Sequence, residues 1–569
     1  MNKKRGTFIL VACIAAVCCI GYLGWVRYYR NTGETVNPSR LVYITLQLFF
    51  LESGNPDSTH IPVFLNIARF LAPVAAFGSA VIALAYRFRK RLQKTALRLF
   101  GKDHIIFFGV NRLSFDLIEK YQGAGRTVVA VDDAANPFLR ECAAVGAVTE
   151  NGRVPGRGLL RRCAFHRAES IFLFHEDDAV NYEGAMRIYE NLLLRSRQRR
   201  YVKCYLRCSN GSFKQLFLHH DLFTDPSDFL EVFFVDMNML SARLLLHINP
   251  PDYQRISPES EKRVHIALVG FTGMAECILE HALRICRFAN ERKPAVTVFD
   301  PAADSAEKRL AAKKPEIGEL CDCRFIQTDI EGYEVIEEID GIKKKPNELL
   351  SVYICIDNDM TALSIGINIR KCLADISFPL GIRVLRNYSI PKLMSSISTT
   401  AVLFDNVHFF GSLEKTASID MIEGKKTDTL ARAIHEKYRA ELKKESPADV
   451  AWHYLDESLK DSNRAQADHI PVKLRAVGIP WEEAVEEAKS GHLDRMLEPH
   501  MELLARMEHN RWIAERLLNG WRYGAVRDDE RKLHPDLVSW DKLPEYIKEY
   551  DRNAIRNIPD WIKLYVADR

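Results

Sequence analysis

Charge of one sign is nearly absent as an excess in this chain. Its 79 lysines and arginines face 75 aspartates and glutamates, a formal net charge of +4 over 569 residues. That is too small to argue for a nucleic-acid partner. The 13 cysteines do not form a disulfide framework. Cys13, Cys18 and Cys19 lie in an apolar run, and the others fall in segments that read as strands or helices of a cytosolic body, where thiols stay reduced. Cys321-Asp-Cys323 is the only close pair outside that run, and no second Cys/His pair stands nearby, so no metal is expected. No Ala-x-Ala cleavage site follows the first apolar run, which argues for an anchor rather than a removed signal. No His/Lys acid–base constellation stands out by spacing and no substrate domain is evident, so the chain is not expected to be an enzyme.

Long apolar runs, by contrast, are concentrated at the head of the chain. Phe8–Val26 is nearly uncharged, and Pro62–Tyr86 is interrupted only by Arg69. Each has about the 20 residues a helix needs to cross the hydrocarbon core. Between them, Leu41–Leu51 is too short to span and suits a re-entrant or interfacial helix. Lys3, Lys4 and Arg5 precede the first run, while Arg87, Arg89, Lys90, Arg91, Lys94 and Arg98 follow the second. This bias predicts a plasma (inner) membrane protein with both termini cytoplasmic, Arg27, Arg30 and Arg40 weakening it without reversing it.

The following 300 residues carry one pattern twice. His104–Val110 and Val264–Val269 are strand-like runs that meet Gly109 and Gly270. Thr127–Val131 ends in Asp132-Asp133, and Val296–Phe299 ends in Asp300. Ser170–Phe174 and Ser351–Ile356 lead into acidic turns, and Tyr201–Arg207 and Gly381–Arg386 each end in arginine. Short β-branched runs alternating with helical stretches predict βαβ units and parallel sheets. Over about Asp103–Ser418 this pattern resembles the tandem regulator-of-potassium-conductance (TrkA-N) family. The resemblance implies two Rossmann-like units with an adenine nucleotide or NAD as regulatory ligand. The nucleotide-binding candidates are Gly109, Asp133 and Arg207 in the first unit, and Gly270, Thr272, Gly273, Asp300 and Arg386 in the second. Neither glycine turn is complete: Gly109-Val-Asn-Arg-Leu-Ser keeps only its first glycine, and Gly270-Phe-Thr-Gly-Met-Ala has Thr272 where the pyrophosphate needs a bare backbone. Nucleotide binding and pure scaffolding are both open.

Six of the seven tryptophans follow residue 447. Glu508-His-Asn-Arg-Trp-Ile-Ala-Glu-Arg, Gly520-Trp-Arg-Tyr-Gly and Trp540-Asp-Lys-Leu-Pro closely resemble the ryanodine-receptor repeat (RyR) domain over about Leu493–Tyr565. The resemblance implies a mainly helical module, whose aromatic and arginine groups suit ring stacking and phosphate or carboxylate pairing. Trp521, Tyr523, Arg527 and Asp528 are the candidate ligand contacts, joined by Asn463, Arg464 and His469 upstream. The alternative is that these aromatics only form a core.

The expected organisation is an α/β chain. Residues 1–100 form a two-span unit with a re-entrant loop, 101–250 and 251–418 two Rossmann domains, 419–447 a linker, and 448–569 a RyR-like module. The order implies a ligand-gated, cation-preferring channel or channel-like effector, a homo-oligomer (tetramer) in a lipid bilayer with a small nucleotide-like ligand. A non-conducting anchored nucleotide sensor in stress or defence signalling is the alternative. The potassium filter Thr-Val-Gly-Tyr-Gly is absent, so carbonyl-based potassium selectivity is not supported. Thr45, Gln47 and Glu52 are the pore candidates, Glu52 as an acidic ring or else an interfacial carboxylate.

Overall fold

The structure is a computed structural model that describes residues 3–52, 61–194, 201–209, 229–373, 378–385, 406–411, 422, 427–441 and 448–567; the side chains of residues 3–11, 79–87, 89–90 and 453 are outside the description. The chain divides into two compact units, Met1–Gly101 and Lys102–Arg569.

In the first unit, α1 (Lys3–Thr32) and α3 (Val63–Phe100) pack together, with the short α2 (Pro38–Gln47) held against them. Asn37 caps α2 by accepting the Ser39 N–H, and Pro38 fixes its first turn. A 3-10 turn, Leu48–Phe50, follows and ends at Leu51 in the left-handed region (φ 64°), which reverses the chain. Leu41, Ile44 and Leu48 bury their side chains with Trp25, Leu65, Ala68 and Ala72. Small residues permit this approach. Gly21 lies under Thr45 and Leu48, and a Cβ on Gly24 would sit 2.7 Å from the Leu65 backbone. Among the described residues, Ala12–Thr32 is the helical stretch long and apolar enough to cross a membrane; the apolar stretch in α3, Val63–Gly78, is shorter.

The second unit holds two six-stranded parallel sheets. The first runs β3-β2-β1-β4-β5-β6, from β1 (His104–Phe108), β2 (Val128–Asp132), β3 (Val148–Asn151), β4 (Ala168–Leu173), β5 (Val202–Arg207) and β6 (Leu230–Val235). The second repeats this order as β12-β11-β10-β7-β8-β9, from β7 (Arg263–Val269), β8 (Ala295–Asp300), β9 (Asp322–Gln327), β10 (Glu348–Ile354), β11 (Leu380–Arg383) and β12 (Val407–Phe410). Both have the Rossmann order. In the first sheet an aromatic ladder holds register. Phe107 stacks on Phe172 (4.4 Å), Phe172 on Tyr205 (4.7 Å) and Tyr205 on Phe233 (4.9 Å), each pair directly opposed across neighbouring strands.

The remaining helices join the sheets to the C-terminal module. α4 (Met237–Ile248) follows β6 and packs on α5 (Gly273–Ile285) of the second unit. Within the segment expected as linker, α6 (Thr429–Glu441) is a helix that buries Ala431, Ile434 and His435. It packs on α7 (Glu457–Ala476), which in turn contacts α5 and α8 (Met501–Leu518). One apolar core runs from Ile278 and Leu279 of α5 to Ile470 and Leu474 of α7 and Leu504 and Ala514 of α8.

Two glycines carry predictions. Gly24→Val forces its side chain into the Leu65 backbone, which cannot yield as a side-chain tip can. We expect a loss of about 1–3 kcal/mol, read as a lower melting temperature of the detergent-purified chain. Gly109 has φ 85°, and an added Cβ would lie 2.4 Å from the His175 N. Gly109→Ala is therefore expected to destabilise the second unit by at least about 1 kcal/mol, measured by thermal unfolding.

Candidate functional site

The two Rossmann turns are built alike. The Val110 N–H donates to Asp132 Oδ2 (2.6 Å) and the Phe271 N–H to Asp300 Oδ2 (2.7 Å). Each acid also accepts a second backbone N–H, from Asp133 and from Ala302 (both 2.7 Å). Asp132, rather than Asp133, thus occupies the position equivalent to Asp300. Asp133 is exposed and accepts the Ala135 N–H. At the place of the missing middle glycine, Asn111 Nδ2 donates to the Phe174 carbonyl (2.8 Å) and Thr272 Oγ1 to the Cys355 carbonyl (2.6 Å). The two side chains staple the first turn of each sheet to the end of its fourth strand, across the approach that a dinucleotide pyrophosphate requires. Gly109 and Gly270 hold positive φ (85° and 83°), and Gly273 opens α5. Arg207 ends β5 half-buried, its carbonyl accepting from Asn181. Arg386 lies outside the described residues. Arg383, which sequence reasoning passed over, ends β11 buried and paired with Asp357, and its NH1 donates to Thr272 Oγ1 (3.4 Å).

The candidates in the C-terminal module disperse. His469 is fully buried, and its Nε2 meets the Arg287 carbonyl at 2.9 Å. Burial, with Lys473 close by, holds its pKa well below the usual histidine value. Asn463 donates to the Leu459 carbonyl of its own helix. Tyr523 is exposed, Arg527 pairs with Asp529 (2.7 Å), and Asp528 accepts the Arg531 N–H in the same turn. Only Arg464 and Trp521 of the seven line a common cavity.

That cavity, about 860 Å³, lies where both Rossmann units meet the C-terminal module. Its walls include Phe233 and Arg243 from the first Rossmann domain, Glu280 and Arg284 from the second, and Arg516 and Trp521 from the C-terminal module. Two buried ionic clusters brace it. In one, Arg243 of α4 bonds Asp428 (3.1 Å) and Asp468 (2.7 Å), and Arg464 bonds Asp428 (2.7 Å), Glu457 (2.6 Å) and Asp461 (2.7 Å). In the other, Lys473 pairs with Glu508 (2.6 Å), Glu508 with Arg511 (2.9 Å), and Arg511 with Glu515 (3.0 Å). Ser462 Oγ donates to the same Glu515 oxygen (2.8 Å). Beyond Glu515, Arg516 lies with its guanidinium carbon 5.6 Å from the Trp512 ring centroid and 5.2 Å from that of Trp521. No group of three or more metal-ligating side chains occurs among the described residues.

With this geometry in place, comparison identifies one module directly. Residues 486–565 match the family model of the RyR domain, so the C-terminal module is an RyR domain, as its tryptophan and arginine pattern implied. Among solved structures, the GsuK channel bound to NAD is similar at 13% identity, over 75% of this chain and 84% of that chain, with a TM-score of 0.38. GsuK bound to ADP is similar at 15% identity, over 74% of this chain and 97% of that chain, with a TM-score of 0.37. These likenesses are distant.

The Asp428 cluster sets a pH dependence. Burial alone would raise the Asp428 pKa, but Arg464 and Arg243 outweigh it and bring it from 3.8 to about 2. A depressed folded pKa adds stability above the unfolded value, here about 2 kcal/mol. That contribution is expected to be complete above pH 4 and to vanish as pH falls through 2. Asp428→Asn should remove this acid-side slope in denaturant titrations across that range. It also leaves two buried guanidiniums short of a carboxylate, so about 3 kcal/mol should be lost at neutral pH.

Proposed function

We propose that this chain is a subunit of a ligand-controlled membrane effector of channel type, in which the α1–α3 unit lines a conducting path and the Rossmann–RyR body senses a nucleotide-like ligand. The observation that carries the reading is the short α2. It is too short to span, buries one face against α1 and α3, and ends in a left-handed turn at Leu51. Thr45 Oγ1 donates to the Leu41 carbonyl (2.7 Å), so its buried hydroxyl is satisfied within this helix. Gln47 Nε2 donates to Glu52 (2.7 Å), which fixes the exposed carboxylate just past the helix end. A carboxylate added to the negative end of a helix dipole favours cations. Repetition around a symmetry axis, most simply in a homotetramer, would turn Glu52 into an acidic ring. The positive flanks support a topology with both termini in the cytoplasm and the nucleotide-fold body on that side.

The second reading is a membrane-anchored sensor without a conducting path. It is favoured by the absence of a Thr-Val-Gly-Tyr-Gly filter between the two apolar runs. Ion flux into liposomes carrying the full chain, with and without ADP, separates the two. We expect cation flux that depends on the nucleotide. Glu52→Gln should lower cation over anion permeability, and Glu52→Lys should lower it further, with both variants still assembling. Liposomes that pass no ions in any condition would leave only the anchored sensor.

A further inference from the structure

We infer that the cavity shared by the three modules is the regulatory ligand site, and that it takes a phosphate-bearing nucleotide whose anionic group pairs with Arg516 beside Trp521. The inference rests on the sensor reading above and gives it a location apart from either glycine turn.

Arg516 is the central observation. It sits in the last turn of α8, partly buried, and its Nε is sealed from water without a hydrogen-bond partner. An unpartnered Nε is shared with Arg284, but three nearby cations each have a carboxylate partner. Arg511 is shared between Glu508 and Glu515, Arg284 pairs with Glu280 (2.5 Å), and Lys313 with Glu276 (2.6 Å). Glu515, its neighbour in sequence, already accepts from Arg511 and Ser462. Trp512 and Trp521 flank the guanidinium and hold its plane without using its N–H donors. With its Nε sealed and no carboxylate bound to it among the described residues, the guanidinium suits an anion on its remaining N–H donors. Burial accordingly lowers its pKa below the ordinary arginine value.

The surroundings select a phosphate compound over a small ion. Lys314 Nζ donates to the Leu518 carbonyl (2.7 Å) and Lys532 Nζ to the Asn519 carbonyl (3.0 Å), so two ammonium groups gather at the end of α8 beside Arg516. The nearest carboxylate of Lys314 is Glu280 at 3.7 Å. The planar fork of arginine with two ammonium groups suits a multiply charged phosphate. The volume of about 860 Å³ is of nucleotide size and lies inside the usual range for organic ligands. Glu276, Glu280 and Asp461 also line the cavity, and their remaining lone pairs can accept from ribose hydroxyls or a base amine. The glycine turns offer less, because Asn111 and Thr272 staple them. A ligand in the shared cavity touches all three modules, so its affinity changes whenever they move relative to one another. That differential affinity is what gating requires.

The test is calorimetric titration of the full-length chain in nanodiscs with ADP and with inorganic pyrophosphate. ADP should bind, with pyrophosphate weaker at the same site. Arg516→Gln should weaken ADP at least tenfold, and Arg516→Lys should fall between, while melting without ligand stays near that of the unsubstituted chain. If Arg516→Gln does not fold, Lys532→Glu, on the exposed rim, should produce the same tenfold loss. Unchanged ADP affinity in the folded variant, or no binding of either probe by the unsubstituted chain, overturns the inference. Binding that needs Arg516 without any ion flux defeats the channel reading and leaves this site standing. ADP-dependent flux that ignores Arg516 does the reverse.

Discussion

The architecture of the Rossmann–RyR body depends on one buried carboxylate. Asp428 accepts from Arg243, in the helix that leaves the first Rossmann sheet, and from Arg464, in the helix that enters the RyR domain. Neither arginine can be neutralised, so once buried they fix their partners in space: loss of either leaves an uncompensated charge in a low-dielectric interior. Asp468, Glu457 and Asp461 complete the shell. Three parts of the chain, the first of them 185 residues before the second, thereby share a single polar joint. Apolar packing could slide there, whereas forked hydrogen bonds cannot.

Around that joint the RyR domain is continuous with the second Rossmann unit. Core residues of α5, α7 and α8 form one cluster, and buried polar contacts tie the modules at its edge. Arg475 meets Asp252 (2.7 Å), Lys314 reaches the Leu518 carbonyl, and His469 meets the Arg287 carbonyl. The cavity is what these clamps leave between them, so its walls belong to no one module and its shape reports the arrangement of all three.

The paired Rossmann turns follow the same economy of design. Where a dinucleotide fold needs bare backbone, Asn111 and Thr272 each donate to the carbonyl just past the fourth strand of their own sheet. The acid after the second strand is committed to two backbone N–H groups in both copies. These are stabilising bonds within the fold, and they make the units rigid. Rigid units suit a body that transmits a ligand's binding energy from one face to another.

Much of this was legible in the order of residues. β-branched runs, the glycine after the first strand and the acid after the second located four strands of each sheet, because strand periodicity and turn chemistry act over a few residues. The two apolar runs, the short helix between them and the RyR pattern were legible for the same reason. The edge strands β3, β6, β9 and β12 were not; β3 and β12 have only four residues, and β9 mixes charged with apolar side chains. Nor could sequence tell Asp132 from Asp133, or show that His469 is sealed against a carbonyl 182 residues away. Arg516 reads in sequence like any arginine of an amphipathic helix. Only the folding of Trp521 onto it, with Glu515 taken up by Arg511 and Ser462, left it partly buried without a carboxylate partner among the described residues. The sequence by itself determined the elements, their order and their repetition, because those depend on local spacing. The tertiary structure decided which charges are paired and where a cavity opens, because both depend on contacts between residues far apart in the chain.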